Sequence, residues 1–498
     1  MAEPVLAGSL EAPSPAAVEL RVVDPPAPAA VEPAPQVEPR AARRPEPRLE
    51  IPAYELTAAL ALERELGIGH VLAQVLVRRG WSEPDAARRF LEAREEHPAS
   101  AFAGIGDAVE LVARHLSAGS RITVHGDYDV DGVCATAILV RSLRSLGGRV
   151  DWFLPGRLED GYGLTAQTVA RLRSRGTELL ITVDCAITAV AEVKQARASG
   201  LDVVVTDHHQ PRLDGELPEC PIVHPGLCGY PCPELCGTAV AYKLACALQA
   251  PGVEGELELV ALATVADLMP LRGENRRLVR LGLAAMADTA RPGLRALMQV
   301  AGADPSALDA GTLAFRLGPR LNAAGRLRRA DAGVELLLTA DEQRAHEIAL
   351  ELDQLNAERR AVEQRIGWEA QAQASALGER PAYVLAAEGW HPGVIGIVAS
   401  RIVERHHRPV VLIALDGTAG TGSGRSIPGF DLLAALHACG EHLQRYGGHR
   451  AAAGLTIVSE RVEPFREAFE AHAAAVLTPD LLAPVEAVDA VVSGSELG

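Results

Sequence analysis

The chain has 498 residues, 48% of them apolar, and a formal net charge of −17 at neutral pH. That length and apolar share suit two or three soluble domains with cores of their own and exclude a wholly disordered chain. No run approaches the roughly 20 apolar residues of a membrane span, the N-terminus has acids and prolines where a secretory signal would be basic and then apolar, and the eight cysteines are too scattered for a disulfide framework; a cytoplasmic protein is expected.

Residues 1–48 are rich in Ala, Pro, Val and Glu without any helical or strand period, the composition of a disordered tail. From 49 to 115 the apolar residues recur at helical spacing, which predicts a small helical lead-in. Beyond residue 116 the pattern changes. Strands are predicted at 122–124, 150–154, 179–183 and 203–206, with helices over 133–146, 165–174 and 190–199 between them. This βαβ alternation predicts an α/β fold, a doubly wound and mostly parallel sheet within 116–275. Residues 276–378 read as helical and end in a long Ala/Glu/Arg-rich helix over 341–376. A second, smaller α/β unit is expected over 379–478, with strands at 383–387 and 410–413, a helix after Pro392-Gly393 and another over 432–439. Residues 479–498 read as a tail.

Parallel sheets of this kind bind ligands at the carboxyl ends of their strands, and the polar residues obey that rule. His125-Gly-Asp127-Tyr-Asp129-Val-Asp131 follows one predicted strand, Asp184 a second, and Asp207-His208-His209 a third. An isolated aspartate after a strand is often a helix N-cap. Here His125, Asp129, Asp131, Asp184, Asp207, His208 and His209 converge on one sheet edge. Carboxylates crowded in this way repel one another unless cations lie among them, and carboxylate with imidazole suits Mn²⁺ or Mg²⁺. The set predicts two ions sharing a carboxylate, a device that clamps both oxygens of a phosphoryl transfer.

The segments H-G-D-Y-D-V-D-G, I-T-V-D-C, T-D-H-H and A-T-V-A-D-L-M-P-L resemble the DHH phosphoesterase superfamily. R-L-G-P-R-L-N-A-A-G-R-L, G-W-H-P-G-V-I-G-I-V-A-S-R, G-S-G-R-S-I-P-G-F-D and Y-G-G-H-R-A-A-A-G-L narrow the likeness to its RecJ family of single-strand-specific exonucleases, over roughly residues 50 to 460. The resemblance implies a Mn²⁺ or Mg²⁺ pair held by His125, Asp129, Asp131, Asp184, His208 and Asp267, with Asp184 bridging. Asp267 lies outside the strand argument and would otherwise read as a helix cap. His209 would face the scissile phosphate and stabilise its charge, and Asp127 and Asp207 would orient ligands. Asp131, Asp184, His208 and His209 would thus carry the catalysis.

The same resemblance implies a nucleic-acid cleft between the two α/β units. Arg157, just past a strand end, could reach a phosphate or be an ordinary surface arginine. Asn322 and Arg326 lie in N-A-A-G-R, where small residues would let backbone approach a phosphate. Gly422-Ser423-Gly424-Arg425-Ser426 offers backbone N–H groups, two hydroxyls and a guanidinium as a phosphate cradle. Gly447-Gly448-His449 matches the family's second signature, with His449 free to donate to the strand. Aromatic residues make up only 4% of the chain, so contacts to phosphate and sugar should outweigh base stacking.

The sequence departs from the pattern at Ala186, where relatives have glycine, and at His224, where they have asparagine. Cys220, Cys228, Cys232 and Cys236 are dense enough to suggest zinc, although their gaps do not match the common C-x₂-C pairs. The family also implies an OB-fold module after the second unit, and that stretch is expected to be missing here. The expected activity is 5′-to-3′ degradation of single-stranded DNA by a monomer in recombination and repair. The rivals are a nanoRNase or cyclic-dinucleotide phosphodiesterase of the same superfamily and a non-catalytic nucleic-acid-binding relative. The second loses metal ligands, and all six are present.

Overall fold

The structure, a computed structural model, describes residues 46–53, 55–157 and 159–494; most of the expected N-terminal tail lies outside them. Strand β1 (Arg48–Glu50) comes first, then helices Leu56–Leu66, His70–Arg78 and Pro84–Glu92. These three close a small core around Ala59, Leu62, Ala73, Leu76 and Ala87. Helix Ile105–Ala118 leads from there into the first sheet.

That sheet comprises β2 (Arg121–His125), β3 (Arg149–Phe153), β4 (Leu179–Val183), β5 (Asp202–Thr206) and β6 (Ile222–Val223). Its order is β3-β2-β4-β5-β6 and every pairing is parallel. The residues of β4 are buried throughout, as expected of a strand covered on both faces. Helix Val130–Ser145 follows β2 and starts three residues before its predicted position. Asp129 explains the earlier start, because its carboxylate accepts from the N–H groups of Asp131 and Gly132 and so caps the helix. The helix is buried on nearly every side, which accounts for its almost continuous run of small and apolar residues.

The second sheet holds β7 (Tyr383–Glu388), β8 (Val410–Asp416), β9 (Ala419–Arg425), β10 (Arg445–Gly448) and β11 (Ala452–Val458), ordered β10-β11-β9-β8-β7. Only β7 and β8 pair in parallel. The last three strands are absent from the sequence expectation, and one corrects it. The supposed glycine cradle at 422–426 lies mostly within β9, whose backbone pairs with both β8 and β11. Its N–H groups therefore serve a sheet and not a phosphate. Gly420, Gly422 and Gly424 face the core, where a Cβ would meet Ile413, Leu455 and Leu432 respectively; Thr421, Ser423 and Arg425 occupy the opposite face.

Helix Glu342–Leu377 joins the two units. Ala345, Ile348, Ala349, Leu352 and Leu355 belong to the first core, while Ile366, Ala370 and Ala374 pack with β7, β8 and helix Ile395–His406. The expected C-terminal tail is partly ordered. Helix Pro479–Leu482 precedes β12 (Val485–Ala487), which pairs in parallel with β1, and Arg79 binds the Asp489 carboxylate through two N–H groups. Pairing at both ends consumes backbone groups that composition alone would leave to water. Among the described residues no helix is long and apolar enough to cross a membrane.

Candidate metal centre

The chain leaves β2 for β3 on one side and returns to β4 on the other, so the crevice between the carboxyl ends of β2 and β4 is the switch point of the sheet. His125 ends β2, Asp184 follows β4, and Asp207, His208 and His209 follow β5. Helix Leu257–Ala266 delivers Asp267 from its C-terminal end. Ligand atoms of Asp131, His208 and Asp267 lie within 4.8 Å of one another, as do those of Asp184, His208 and His209, and those of Asp127, Asp129 and Asp184. His208 is central: its Nε2 stands 3.2 Å from Asp184 Oδ1 and 3.6 Å from both Asp131 Oδ2 and Asp267 Oδ2.

The chemistry of this donor set fits hard divalent cations. Burial, and then the neighbouring carboxylates, push Asp127 and Asp267 up to about 8 and raise Asp129 and Asp184 as well. So many acids cannot all ionise together without a cation among them. Burial also lowers His125, to about 4, and His208, which leaves both as neutral imidazoles with a lone pair to offer. Three buried atoms, His125 Nε2, Asp127 Oδ1 and Asp184 Oδ1, make no hydrogen bond. His125 joins none of the three groups; the nearest partner of its Nδ1 is the Cys185 thiol, 3.6 Å away. Asp127, expected only to orient other groups, stands inside the cluster.

Asp207 is spent on its surroundings. Its Oδ1 accepts from the N–H groups of His208 (2.7 Å) and His209 (3.1 Å) and contacts His209 Nδ1 at 2.8 Å, and its Oδ2 accepts from the Ile187 N–H. Burial alone would lower His209, but the hydrogen bond and charge of Asp207, together with the charges of Asp131 and Asp267, outweigh it and lift the imidazole to about 9. In the metal-free chain this favours the imidazolium at neutral pH. The Nδ1 of His224 accepts from the N–H groups of Gly226 and Leu227, so its Nε2–H donates to the His209 carbonyl at 2.8 Å. The departure at His224 thus helps to place the histidine loop. Tyr162 adds an edge-on ring contact to His209.

Beside Asp129 lies a group of arginines. Arg157 lies over the Tyr128 ring, 4.1 Å from its centroid, and its buried Nε has no hydrogen-bond partner. Arg326 is lowered to about 10, first by burial and then by Arg157 and Arg359, with Arg425 adding to the effect. Guanidinium groups that repel one another in a partly buried crevice make a place for an anion. The adjoining pocket, lined by Gly156, Arg157, Glu159 and residues 325–329, has a volume of about 310 Å³. Arg425 reaches Ser423 Oγ at 3.0 Å.

Other expected contacts have different partners. Asn322 Oδ1 accepts from the Val130 N–H at 3.1 Å. The small residues of N-A-A-G-R bring protein backbone close, since a Cβ on Gly325 would lie 2.1 Å from the Tyr128 carbonyl oxygen. Ser426 Oγ donates to the Phe430 carbonyl at 2.8 Å. His449 is exposed in the turn between β10 and β11, its N–H bonded to the Ala452 carbonyl. The four cysteines do not converge: Cys228 Sγ bonds to the Ile222 carbonyl and Cys236 Sγ to Thr264 Oγ1, and no cysteine enters a candidate metal group among the described residues. Sequence reasoning missed Tyr128, inside the H-G-D-Y-D-V-D-G motif, and Tyr162, five residues after Arg157. It also missed Gly237 and Thr238, which directly follow Cys236, the last of the four clustered cysteines.

Comparison with known proteins agrees with this architecture. The family model described as DHH family, N-terminal domain matches residues 121–269, and that of the DHHA1 domain matches 380–475. Single-stranded-DNA-specific exonuclease RecJ of Dickeya dadantii is 43% identical over 396 residues, 74% of this chain and 68% of the relative. The RecJ of Bacillus subtilis is 40% identical over 452 residues, 89% of this chain but only 57% of the relative, so the chain spans little more than half of that protein's length. The crystal structure of RecJ in complex with Mn²⁺ from Thermus thermophilus superposes with a TM-score of 0.78 at 35% identity, covering 89% of this chain and 64% of the other. A fold, a switch-point cluster and whole-unit likeness that agree in this way place the chain in the RecJ family of DHH proteins.

Proposed function

We propose that this chain is a metal-dependent exonuclease that hydrolyses single-stranded DNA from its 5′ end, in recombination and repair. The observation that carries the reading is the acid-and-imidazole cluster at the switch point, with Arg157, Arg326 and Arg425 beside it and in no ion pair with a carboxylate among the described residues. His125, Asp129, Asp131, Asp184, His208 and Asp267 would hold two Mn²⁺ or Mg²⁺ ions. Asp184 and His208 each belong to two of the three donor groups, which suits shared positions. Bound cations supply a nucleophilic water at neutral pH and offset charge on the phosphate.

The chain's own groups do the rest. Asp207 keeps His209 protonated, so its imidazolium can donate to a phosphate oxygen. Arg157, Arg326 and Arg425 gather the phosphate backbone, and Ser423 orients the last of these. The reading keeps the expectation of a cytoplasmic monomer.

The test is end-labelled single-stranded and duplex DNA incubated with Mn²⁺ and either the natural protein or Asp184→Ala. Stepwise loss of nucleotides from the 5′ end of the single strand, abolished in the variant, is the expected result. Equal degradation by both proteins would sink the metal reading, and a preference for RNA of a few nucleotides would move the function to the phosphodiesterase branch.

A further inference from the structure

Asp131 lies deep under the cluster, 2% exposed, and both of its oxygens are held by a single turn. Its Oδ2 accepts from the Gly237 N–H and its Oδ1 from the Thr238 N–H, each at 2.7 Å, and its main-chain carbonyl accepts from Thr238 Oγ1 at 2.8 Å. These donors open helix Gly237–Ala247, so two N–H groups at the positive end of a helix orient the carboxylate while the Thr238 hydroxyl holds the main chain of Asp131 in place. The same turn also sets the position of Asp184. A Cβ on Gly237 would stand 2.6 Å from Asp184 Cβ, 2.7 Å from its Oδ1 and 2.9 Å from its Cα. Asp184 is itself in the left-handed region, at φ +60°, a conformation that surrounding packing has to enforce.

We infer that Gly237 and Thr238 are positioning residues, a clamp that fixes Asp131 and Asp184 relative to each other. Each constraint has its own physical origin. Thr238 acts through hydrogen bonds to Asp131. Gly237 acts through the absence of a side chain, which lets Asp184 lie against the turn. A one-atom change at either place should loosen one acid and leave the arginines, and so the grip on DNA, unchanged. The inference rests on the metal-dependent reading above.

Its test is calorimetric titration of Mn²⁺ into the full chain without DNA, for the natural protein, Thr238→Ser, Thr238→Val and Gly237→Ala. Circular dichroism confirms folding, and kcat and KM on single-stranded DNA are measured alongside. Groups that orient metal ligands typically contribute about 10–100-fold in affinity, so Thr238→Val and Gly237→Ala should each weaken Mn²⁺ by at least about tenfold. Both should lower kcat at saturating Mn²⁺ with little change in KM for DNA. Thr238→Ser keeps the hydroxyl and should stay within about threefold of the natural protein, a rescue that a purely structural role would not produce. Natural Mn²⁺ affinity in a folded Thr238→Val would overturn the clamp, as would equal losses in the Ser and Val variants. If only Thr238→Val fails to fold, Gly237→Ala decides by the same criterion. Absence of Mn²⁺ binding by the natural protein would instead overturn the metal reading itself.

Discussion

Ala186 sits at φ +82°, two residues after Asp184 at +60°. A side chain in the left-handed region costs roughly 1–2 kcal/mol. The buried methyl returns about 0.8 kcal/mol, and glycine would lose more chain entropy on folding. These terms nearly cancel, so Ala186→Gly should change stability by less than about 1 kcal/mol, whereas Ala186→Val should lose about 2 kcal/mol or more. Urea unfolding distinguishes this order from one set by packing alone, in which the glycine variant would be the worse. A second consequence concerns the acids. Asp127 and Asp267 ionise near 8 when folded without metal and near 4 when unfolded. Between those values the folded chain retains protons that the unfolded chain has released, so the metal-free protein loses stability as pH rises from about 4 to 8. Melting temperatures in EDTA should fall across that window. Mn²⁺ should stabilise more at pH 8 than at pH 5, because fewer protons then have to leave.

At the scale of elements, four of the five strands of the first sheet were legible, the two-residue β6 being too short to leave a pattern, and most of the second sheet was not. β4 falls where its β-branched run predicts, and β2, β3 and β5 differ by a residue or two, because buried parallel strands read as continuous apolar runs. That placement alone brought His125, Asp184 and Asp207–His209 to one edge. Asp267 escaped because nothing in a helix end marks an acid as more than a cap, and the resemblance had to supply it. β9 escaped for a different reason. Ala-Gly-Thr-Gly-Ser-Gly-Arg has the composition of a loop, and only its neighbours, which leave no room for a Cβ on every second residue, make it a strand. Gly422→Val should accordingly overpack the second core against Leu455 and lose about 1–3 kcal/mol in urea unfolding. The first core should be little affected, so Mn²⁺ binding at 25 °C should persist. Loss of Mn²⁺ binding by the folded variant would mean that the two units are coupled more tightly than the division of the long helix between two cores indicates.

For the whole molecule, a net charge of −17 would by itself oppose a polyanionic substrate, yet the fold separates the two signs. Acids gather at the switch point, where cations would offset them, and Arg157, Arg326 and Arg425 gather beside it with few partners of their own. Affinity for a single strand should then follow this local field and not the net charge. Each phosphate contact to a single strand contributes about 0.7 to the slope of log affinity against log salt concentration. Binding of 5′-phosphorylated single-stranded DNA, measured in EDTA so that the strand stays intact, should become less salt-dependent by about that amount in Arg157→Ala and again in Arg425→Ala. The double variant should lose both contributions. Arg64, exposed on the first lead-in helix and beside Glu65, is the control: Arg64→Ala changes the net charge by the same unit and should leave the slope as it was. Equal changes in all three single variants would show that the strand responds to overall charge, and the arginine crevice would then lose its claim to the DNA.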